Sequence, residues 1–344
     1  LRNGSEYLIM KPLLSIVIPS NNRTELLEEA ILSIIAEPSW NTECELCISD
    51  NSIGERTENL IHTKYSSNSQ IAYRRSLDAS SLDENVNMAI SMARGQYVWV
   101  FGDDDLIEAN FLAELITYIK NGSPDIVILN SSSFQEQGQV EGLRRYIDGL
   151  RVYEPEDNDS FLEDQGAYLT YVACIVIRKK LWKKSYRPEK VGTFFAHIDA
   201  VCRAKIGHTA HSLPSPAIKM RLHSQTWTAK HFEIWNIYFP QVIWELDNYS
   251  FCAKKNVIQR YPLKSVRRVL ASRAYGRFNF EIFKLILLPA KNSSLFVKVL
   301  AFFISIIPRE MFRQLYIFYI LIFRNKHTVA FSPKLALSQL QRRK

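Results

Sequence analysis

The chain has 344 residues, 47% of them hydrophobic and 23% charged, an ordinary globular composition with room for about two domains. No low-complexity tract or self-similar period is present, which excludes disordered and solenoid architectures. The net charge of +8 hides an asymmetry: from Lys254 onward there are 19 Lys and Arg against only Glu281 and Glu310, so a mildly acidic front is joined to a very basic tail.

In chain order, residues 1–10 lack periodicity and are set aside as a leader. Leu13-Leu-Ser-Ile-Val-Ile-Pro19 predicts a buried strand that stops at Pro19 and the polar Ser20-Asn-Asn-Arg23. A helix is expected from Thr24, with Thr24 as its cap and Leu26, Leu27, Ala30, Ile31 and Ile34 on one face. Glu45-Leu-Cys-Ile-Ser-Asp50 reads as a second strand and Ile71-Ala-Tyr-Arg74 as a short third. Asn85 to Ala93 is a helix, closed by Gly95 ahead of the run Val98-Trp-Val-Phe-Gly-Asp-Asp-Asp-Leu106. This alternation predicts βαβ units, hence an α/β fold with a mostly parallel sheet and flanking helices.

The Val98 run stops in three consecutive carboxylates, Asp103, Asp104 and Asp105, on the same rim as Asp50. Three adjacent carboxylates repel one another, so a nearby cation accounts for them, and open parallel sheets bind ligands at this edge. The competing reading is a solvated acidic turn capping a helix that starts near Glu108.

The five cysteines fall at irregular positions without a secretory signal, which predicts a reducing cytoplasm. Cys44 and Cys47 form a C-x-x-C with no second pair to complete a zinc site, so core packing on a strand is expected of them.

Further along, a helix at residues 111–120 turns Leu112, Leu115, Ile116 and Ile119 inward, and Asp125-Ile-Val-Ile-Leu129 is another buried strand. Residues 131–165 read as a polar surface insertion. Ala173-Cys-Ile-Val-Ile177 is a strand, with a helix beginning at Arg178. An amphipathic helix in residues 192–201 carries His197 and Asp199 near its first turn.

Ser15-Ile-Val-Ile-Pro-Ser-Asn-Asn-Arg23, Ser49-Asp-Asn-Ser52, Asn85-Val-Asn-Met-Ala-Ile90, Ala93-Arg-Gly95 and the Val98–Asp105 run occur in an order and spacing that resembles the family 2 glycosyltransferases of the GT-A fold. The resemblance covers about residues 12–230 and, more finely, points to bacterial O-antigen-type, abequosyltransferase-like enzymes. It implies a nucleotide-sugar site made by Pro19, Asn22, Arg23, Asp50, Asn87, Asp103, Asp104 and Arg221. It also implies a Mn²⁺ or Mg²⁺ ion on Asp105, with Asp103 on ribose or metal and Asp104 assisting. Gly102 stands where the commoner pattern has an aspartate, which leaves the division of labour among the three open.

A departing nucleoside diphosphate builds up negative charge, which a hard divalent cation with oxygen ligands neutralises. Inverting transfer also needs a base for the acceptor hydroxyl. The segment of His197 and Asp199 sits where related enzymes keep that base, and Asp199 is favoured by residue type, with His197 as the alternative. In Lys219-Met-Arg-Leu-His223, Arg221 and His223 share one face of an extended segment, and similar enzymes keep an R-x-H near the diphosphate. Arg221 is thus expected on phosphate and His223 on metal or phosphate.

The domain boundary is expected near residue 230, giving a catalytic domain over 11–230 and a mainly helical region over 231–344. In that region the apolar runs 280–288, 295–307 and 312–323 are edged by Lys and Arg and are each too short to span a membrane. They suit helices lying on an anionic membrane surface, with packing on the core or on a second copy, a homo-oligomer, as the alternative.

The expected function is sugar transfer from a nucleoside-diphosphate sugar to a lipid-linked saccharide at the cytoplasmic face of the membrane. A nucleotidyltransferase would show a Gly-rich phosphate loop after the first strand, and none follows Pro19. A nucleic-acid-binding protein would cluster its basic residues on a polar face. Here they alternate with long apolar runs, so nucleic acid is not an expected partner.

Overall fold

Strands β1 (Leu14–Ser20) and β2 (Cys44–Asp50) are buried at every position, as expected of aliphatic runs in a parallel sheet covered on both faces. The computed structural model describes residues 11–40, 43–79, 81–134, 148–222 and 230–314. Helix α1 (Thr24–Ile35) joins the two strands and turns Leu27, Ala30, Ile31 and Ile34 into the core. Then follow α2 (Arg56–Lys64), β3 (Ile71–Arg75), α3 (Leu82–Met92) and β4 (Tyr97–Val100). β1 pairs in parallel with β2 on one side and β4 on the other, and β2 with β3. The order β3-β2-β1-β4 therefore reverses between β1 and β4, the kind of switch point at which a crevice opens beyond the strands' carboxyl ends.

Next come β5 (Leu106–Ile107), α4 (Phe111–Gly122), β6 (Ile126–Phe134), β7 (Arg151–Tyr153) and α5 (Asn158–Gln165). After them are β8 (Ile175–Arg178), α6 (Lys179–Ser185), α7 (Ala196–Lys205) and β9 (Ala210–Arg221). The path through the sheet is β3-β2-β1-β4-β8-β6-β9-β5, with β7 attached to β9. β8 runs antiparallel to β4 and β6, and β5 and β7 antiparallel to β9, so a mostly parallel sheet carries antiparallel insertions. Cys44 and Cys47 lie buried in β2, as their packing role requires.

Two local expectations are corrected. Thr24 does not cap α1: Arg23 holds the N-cap position, and the Thr24 hydroxyl pairs with that of Thr57 at 2.8 Å. α4 starts at Phe111, as its periodicity predicts: Asn110 is left-handed and Glu37 caps the helix in trans, accepting from the N–H groups of Asn110 at 2.9 Å and Leu112 at 3.1 Å. β6 continues past Leu129 to Phe134 because its polar end is satisfied. Asn130 donates to Pro214 O at 2.9 Å, Ser132 donates to Glu108 at 2.6 Å, and Tyr168 donates to Ser131 at 3.1 Å. Part of the polar stretch 131–165 is thus sheet and helix; residues 135–147 lie outside the described residues.

The chain divides into two compact units, Leu1–Gln225 with Val242–Val257, and Thr226–Gln241 with Ile258–Lys344. Val242–Val257 belongs to the first unit because Val242, Ile243, Leu246 and Ala253 are buried and Tyr249 donates to Cys202 O at 2.7 Å. The second unit has its own core, including Phe232, Val269, Phe278, Leu287 and Ile304. Its helix Leu295–Ile306 is apolar on both faces: Val297, Ala301 and Ile304 face inward, while Leu295, Phe296, Val299, Phe303 and Ile306 are exposed. No helix of the described residues is long and apolar enough to cross a membrane. Most of the third apolar run, 312–323, lies outside the described residues.

Candidate active site

β4 ends at Val100, and the chain leaves it through Phe101 and Gly102 into the carboxylates at the switch point beside β1. Arg23, just past the end of β1, sends its guanidinium Nη1 between Asp103 Oδ1 at 2.9 Å and Asp104 Oδ2 at 2.8 Å. Ser20 donates to Asp103 Oδ2 at 3.1 Å. Burial pushes the Asp103 carboxyl up to about 6, opposed by the Arg23 charge. Burial also works against the charged Arg23, yet the two aspartates hold it above its ordinary value.

Asp105 has other partners. Its Oδ2 accepts the Tyr171 hydroxyl at 2.6 Å and its Oδ1 the Arg221 N–H at 3.1 Å. Burial, then the Asp104 charge, raises its carboxyl to about 8. A Cβ on Gly102 would stand 2.5 Å from Asp105 Oδ2, so the Asp105 carboxylate fills the space a side chain there would need. A side chain at position 102 would have to displace that carboxylate.

Asp50 is wholly buried, with Oδ1 accepting the Ser52 N–H at 2.9 Å and Oδ2 the Tyr73 hydroxyl at 2.9 Å. Asn22, left-handed at φ 55°, ties the turn after β1 to the turn after β2: its N–H reaches Ser52 Oγ at 2.7 Å and its Oδ1 accepts from Ile53 N–H at 3.2 Å. Pro19 lies opposite Ser49, past the point where β4 has ended, so on that side its missing N–H costs no ladder bond.

One residue of the expected set, Asn87, stands elsewhere, and another, Arg221, meets the acidic turn itself. The Asn87 side chain accepts from the Trp182 indole at 3.2 Å, and Asn85 is the α3 amide that reaches the strand ends. Asn85 donates to Ser20 O at 3.0 Å and accepts from Ser49 at 2.6 Å. The Arg221 guanidinium is committed to Glu29 and, at 3.0 Å, to Asp104 O, and it lies 4.8 Å over the Phe134 ring. In this structure it braces the acidic turn. His223 lies outside the described residues.

Helix α7 places both base candidates in its first turn, with opposite surroundings. Asp199 is fully buried, bonded through Oδ2 to Arg187 Nε at 2.9 Å and through Oδ1 to Arg187 Nη2 at 2.5 Å and Arg203 Nε at 3.3 Å. His197 directs Nε2 at Leu169 O, 3.0 Å away. A carbonyl only accepts, so Nε2 carries the proton and Nδ1 the lone pair. Burial, opposed by that bond, lowers its pKa to about 4 and keeps it neutral. Leu169 is two residues from Tyr171, which links His197 to the acidic turn.

The donor set suits a hard divalent ion: the carboxylates of Asp103 and Asp105 are oxygen ligands whose charge is costly in this buried turn. Arg23 shows that a positive charge is accepted between Asp103 and Asp104. Among the described residues no three His, Cys, Asp or Glu side chains form a metal cage, and an ion here would complete its shell with phosphate and water. Tyr171, Asn85, Tyr73 and Glu29 were not expected from sequence. Tyr73 had a signal in its place on the strand beside Asp50, and Asn85 in opening the motif Asn85-Val-Asn-Met-Ala-Ile90; Tyr171 and Glu29 carry none.

The mostly parallel sheet with its flanking helices is a GT-A-like fold. Residues 15–184 match the model described as Glycosyl transferase family 2, so this segment carries a family 2 glycosyltransferase domain. Abequosyltransferase RfbV of Salmonella typhimurium is 29% identical over 197 residues, 54% of this chain and 59% of that protein. The poly(ribitol-phosphate) beta-glucosyltransferase of Bacillus spizizenii is 24% identical over 188 residues, 54% of this chain and 27% of that protein. The matched region thus falls short of two thirds of either relative. The crystal structure of S. aureus TarS in complex with UDP is similar with a TM-score of 0.53 at 14% identity, covering 78% of this chain and 76% of that one. The complex with UDP-GlcNAc gives 0.51 at 15% identity, over 71% and 70%. At these identities the likeness is one of fold.

Proposed function

We propose that the chain moves a sugar, with inversion at the sugar carbon, from a nucleoside-diphosphate sugar to a lipid-linked saccharide in the synthesis of a bacterial surface polysaccharide of the O-antigen kind. The observation that carries this reading is that Ser20, at the end of β1, pairs in register with Asp50 and donates to Asp103 of the acidic turn, all inside the family 2 segment. The abequosyltransferase relative supports the sugar-polymer context, and the UDP and UDP-GlcNAc complexes of the TarS fold support a nucleotide-sugar donor.

In this reading Pro19, Asn22 and Asp50 receive the nucleoside, and Arg23 turns from Asp103 and Asp104 to the diphosphate. A Mn²⁺ or Mg²⁺ ion held by Asp105 and Asp103 would supply charge neutralisation at the leaving diphosphate. His197 takes the proton of the acceptor hydroxyl through Nδ1, and Asp199 anchors α7 through its two arginines. The second unit docks on the inner face of an anionic membrane through the exposed face of helix Leu295–Ile306, a position supported by its large apolar side chains and the basic tail.

A panel of UDP-, GDP-, CDP- and dTDP-sugars, scored for thermal stabilisation and for hydrolysis with Mn²⁺ or EDTA, tests the reading. At least one sugar nucleotide should stabilise the protein and be hydrolysed only with the metal. Stabilisation by none of them, or hydrolysis undiminished in EDTA, would overturn it.

A further inference from the structure

Helix α7 begins at Ala196 with no capping side chain of its own; its N-cap residue is Phe195. A helix start leaves orphan N–H groups that some acceptor has to satisfy. The acceptor comes from another helix. Asp83, in the first turn of α3, takes the Ala196 N–H on Oδ1 at 3.1 Å and the Gly192 and Phe194 N–H groups on Oδ2 at 2.9 Å each. Its carboxylate is buried, and the positive ends of two helices meet at it.

The turn it holds is strained. Gly192 has φ +87° and Phe194 φ +66°, and a bulky residue in the left-handed region persists only where its surroundings enforce it. Two residues along α3, Asn85 bonds Ser20 O and the Ser49 hydroxyl at the ends of β1 and β2. One turn of α3 therefore grips the nucleotide rim with Asn85 and the start of the base-bearing helix with Asp83.

We propose that Asp83 is a positioning residue for transfer: by clamping the turn at residues 192–195 it sets His197 against the nucleotide rim, coupling the two halves of the site through α3. This rests on the reading of His197 as the base. The side chain touches neither donor nor acceptor, so its removal acts on the rate of transfer and spares donor binding.

The test compares full-length Asp83→Asn and Asp83→Ala with wild type. Hydrogen exchange of peptides spanning residues 190–200 should quicken by about tenfold or more, while peptides of β1 and β2 hold their protection. Carbethoxylation of His197 by diethyl pyrocarbonate, followed by mass spectrometry, should rise severalfold. With the donor identified by the sugar-nucleotide panel, kcat should fall by about tenfold or more with donor KM within about twofold. If folded Asp83→Asn keeps wild-type exchange, His197 reactivity and kcat, or if kcat and donor affinity fall together, the clamp is refuted. Should Asp83→Ala fail to fold, Asp83→Asn alone decides. His197→Ala is assayed alongside: full transfer by that variant refutes the base reading, whereas its inactivity beside a normal Asp83→Asn refutes only the clamp.

Discussion

Tyr171 donates its hydroxyl to Asp105 at 2.6 Å across 66 residues of chain, and so favours the charged form of the carboxylate proposed to hold the metal. Burial raises the Asp105 carboxyl to about 8, and the Tyr171 bond is the first influence opposing that rise. Removing a hydrogen bond to a charged group costs about 1.5–3 kcal/mol, which is roughly 10- to 100-fold in an equilibrium. Tyr171→Phe should therefore weaken Mn²⁺-dependent nucleotide binding at pH 7 by about tenfold or more, and binding should recover as pH rises well above 8. Titration calorimetry at both pH values checks this; an unchanged affinity at pH 7 would show that Asp105 is not the ligand.

Gly102 is expected to tolerate no side chain, since its Cβ would meet Asp105 Oδ2 at 2.5 Å. Gly102→Ala has to push the Asp105 carboxylate aside, at a cost of about 1–3 kcal/mol. Nucleotide binding with Mn²⁺ should drop while the melting temperature moves by only a few degrees. Wild-type binding would mean that the turn relaxes freely.

Asp199 and His197 should separate by the kind of damage they cause. Asp199→Asn leaves Arg187 and Arg203 beside a buried neutral amide, and breaking such a pair costs about 3–5 kcal/mol, discounted here because the Arg187 side chain is 27% exposed. Urea unfolding should show the loss, with transfer by the folded fraction little changed. His197→Ala, a truncation at a buried position, should lose stability too, but its folded fraction should lose ~10²–10⁴-fold in transfer. The reverse pattern would hand the base to Asp199.

His197 also predicts an acid limb in stability. Its folded pKa is about 4 against 6.5 for the free side chain. Between those values the unfolded chain binds a proton that the folded chain does not, so stability is full above 6.5 and is lost as pH falls toward 4. The loss amounts to at most ~3 kcal/mol. Urea midpoints measured from pH 7.5 to 4.5 should fall less steeply in His197→Gln; parallel slopes would show that other groups dominate.

The outer face of helix Leu295–Ile306 should bind lipid. Phe296→Glu with Phe303→Glu adds two negative charges to that face, where the wild-type side chains are 72% and 53% exposed. Wild-type protein should sediment with phosphatidylglycerol vesicles and be only partly released by high salt, because screening weakens the charge attraction and leaves the apolar insertion. The double variant should stay in the supernatant. Wild-type protein that fails to sediment at low salt would point to protein packed on this face.

The sequence by itself determined the alternation of strands and helices, the burial of β1, β2 and β4, and the placing of Asp50 and the three aspartates on one rim. Those features follow from local periodicity and from the rule that parallel strands end together at one edge. It did not determine that Asn85 rather than Asn87 reaches the strand ends, because the two lie on different sides of α3 and only its rotation against the sheet chooses between them. Nor could it show Arg23 between Asp103 and Asp104, Tyr171 on Asp105, or Asp83 at the start of α7. Each of those contacts joins residues separated by tens of positions, and they become neighbours only when the sheet order brings β1, β4 and α7 to the same edge. Asp199 carries the same lesson: its residue type and position suit a base, and tertiary packing instead surrounds it with two guanidinium groups.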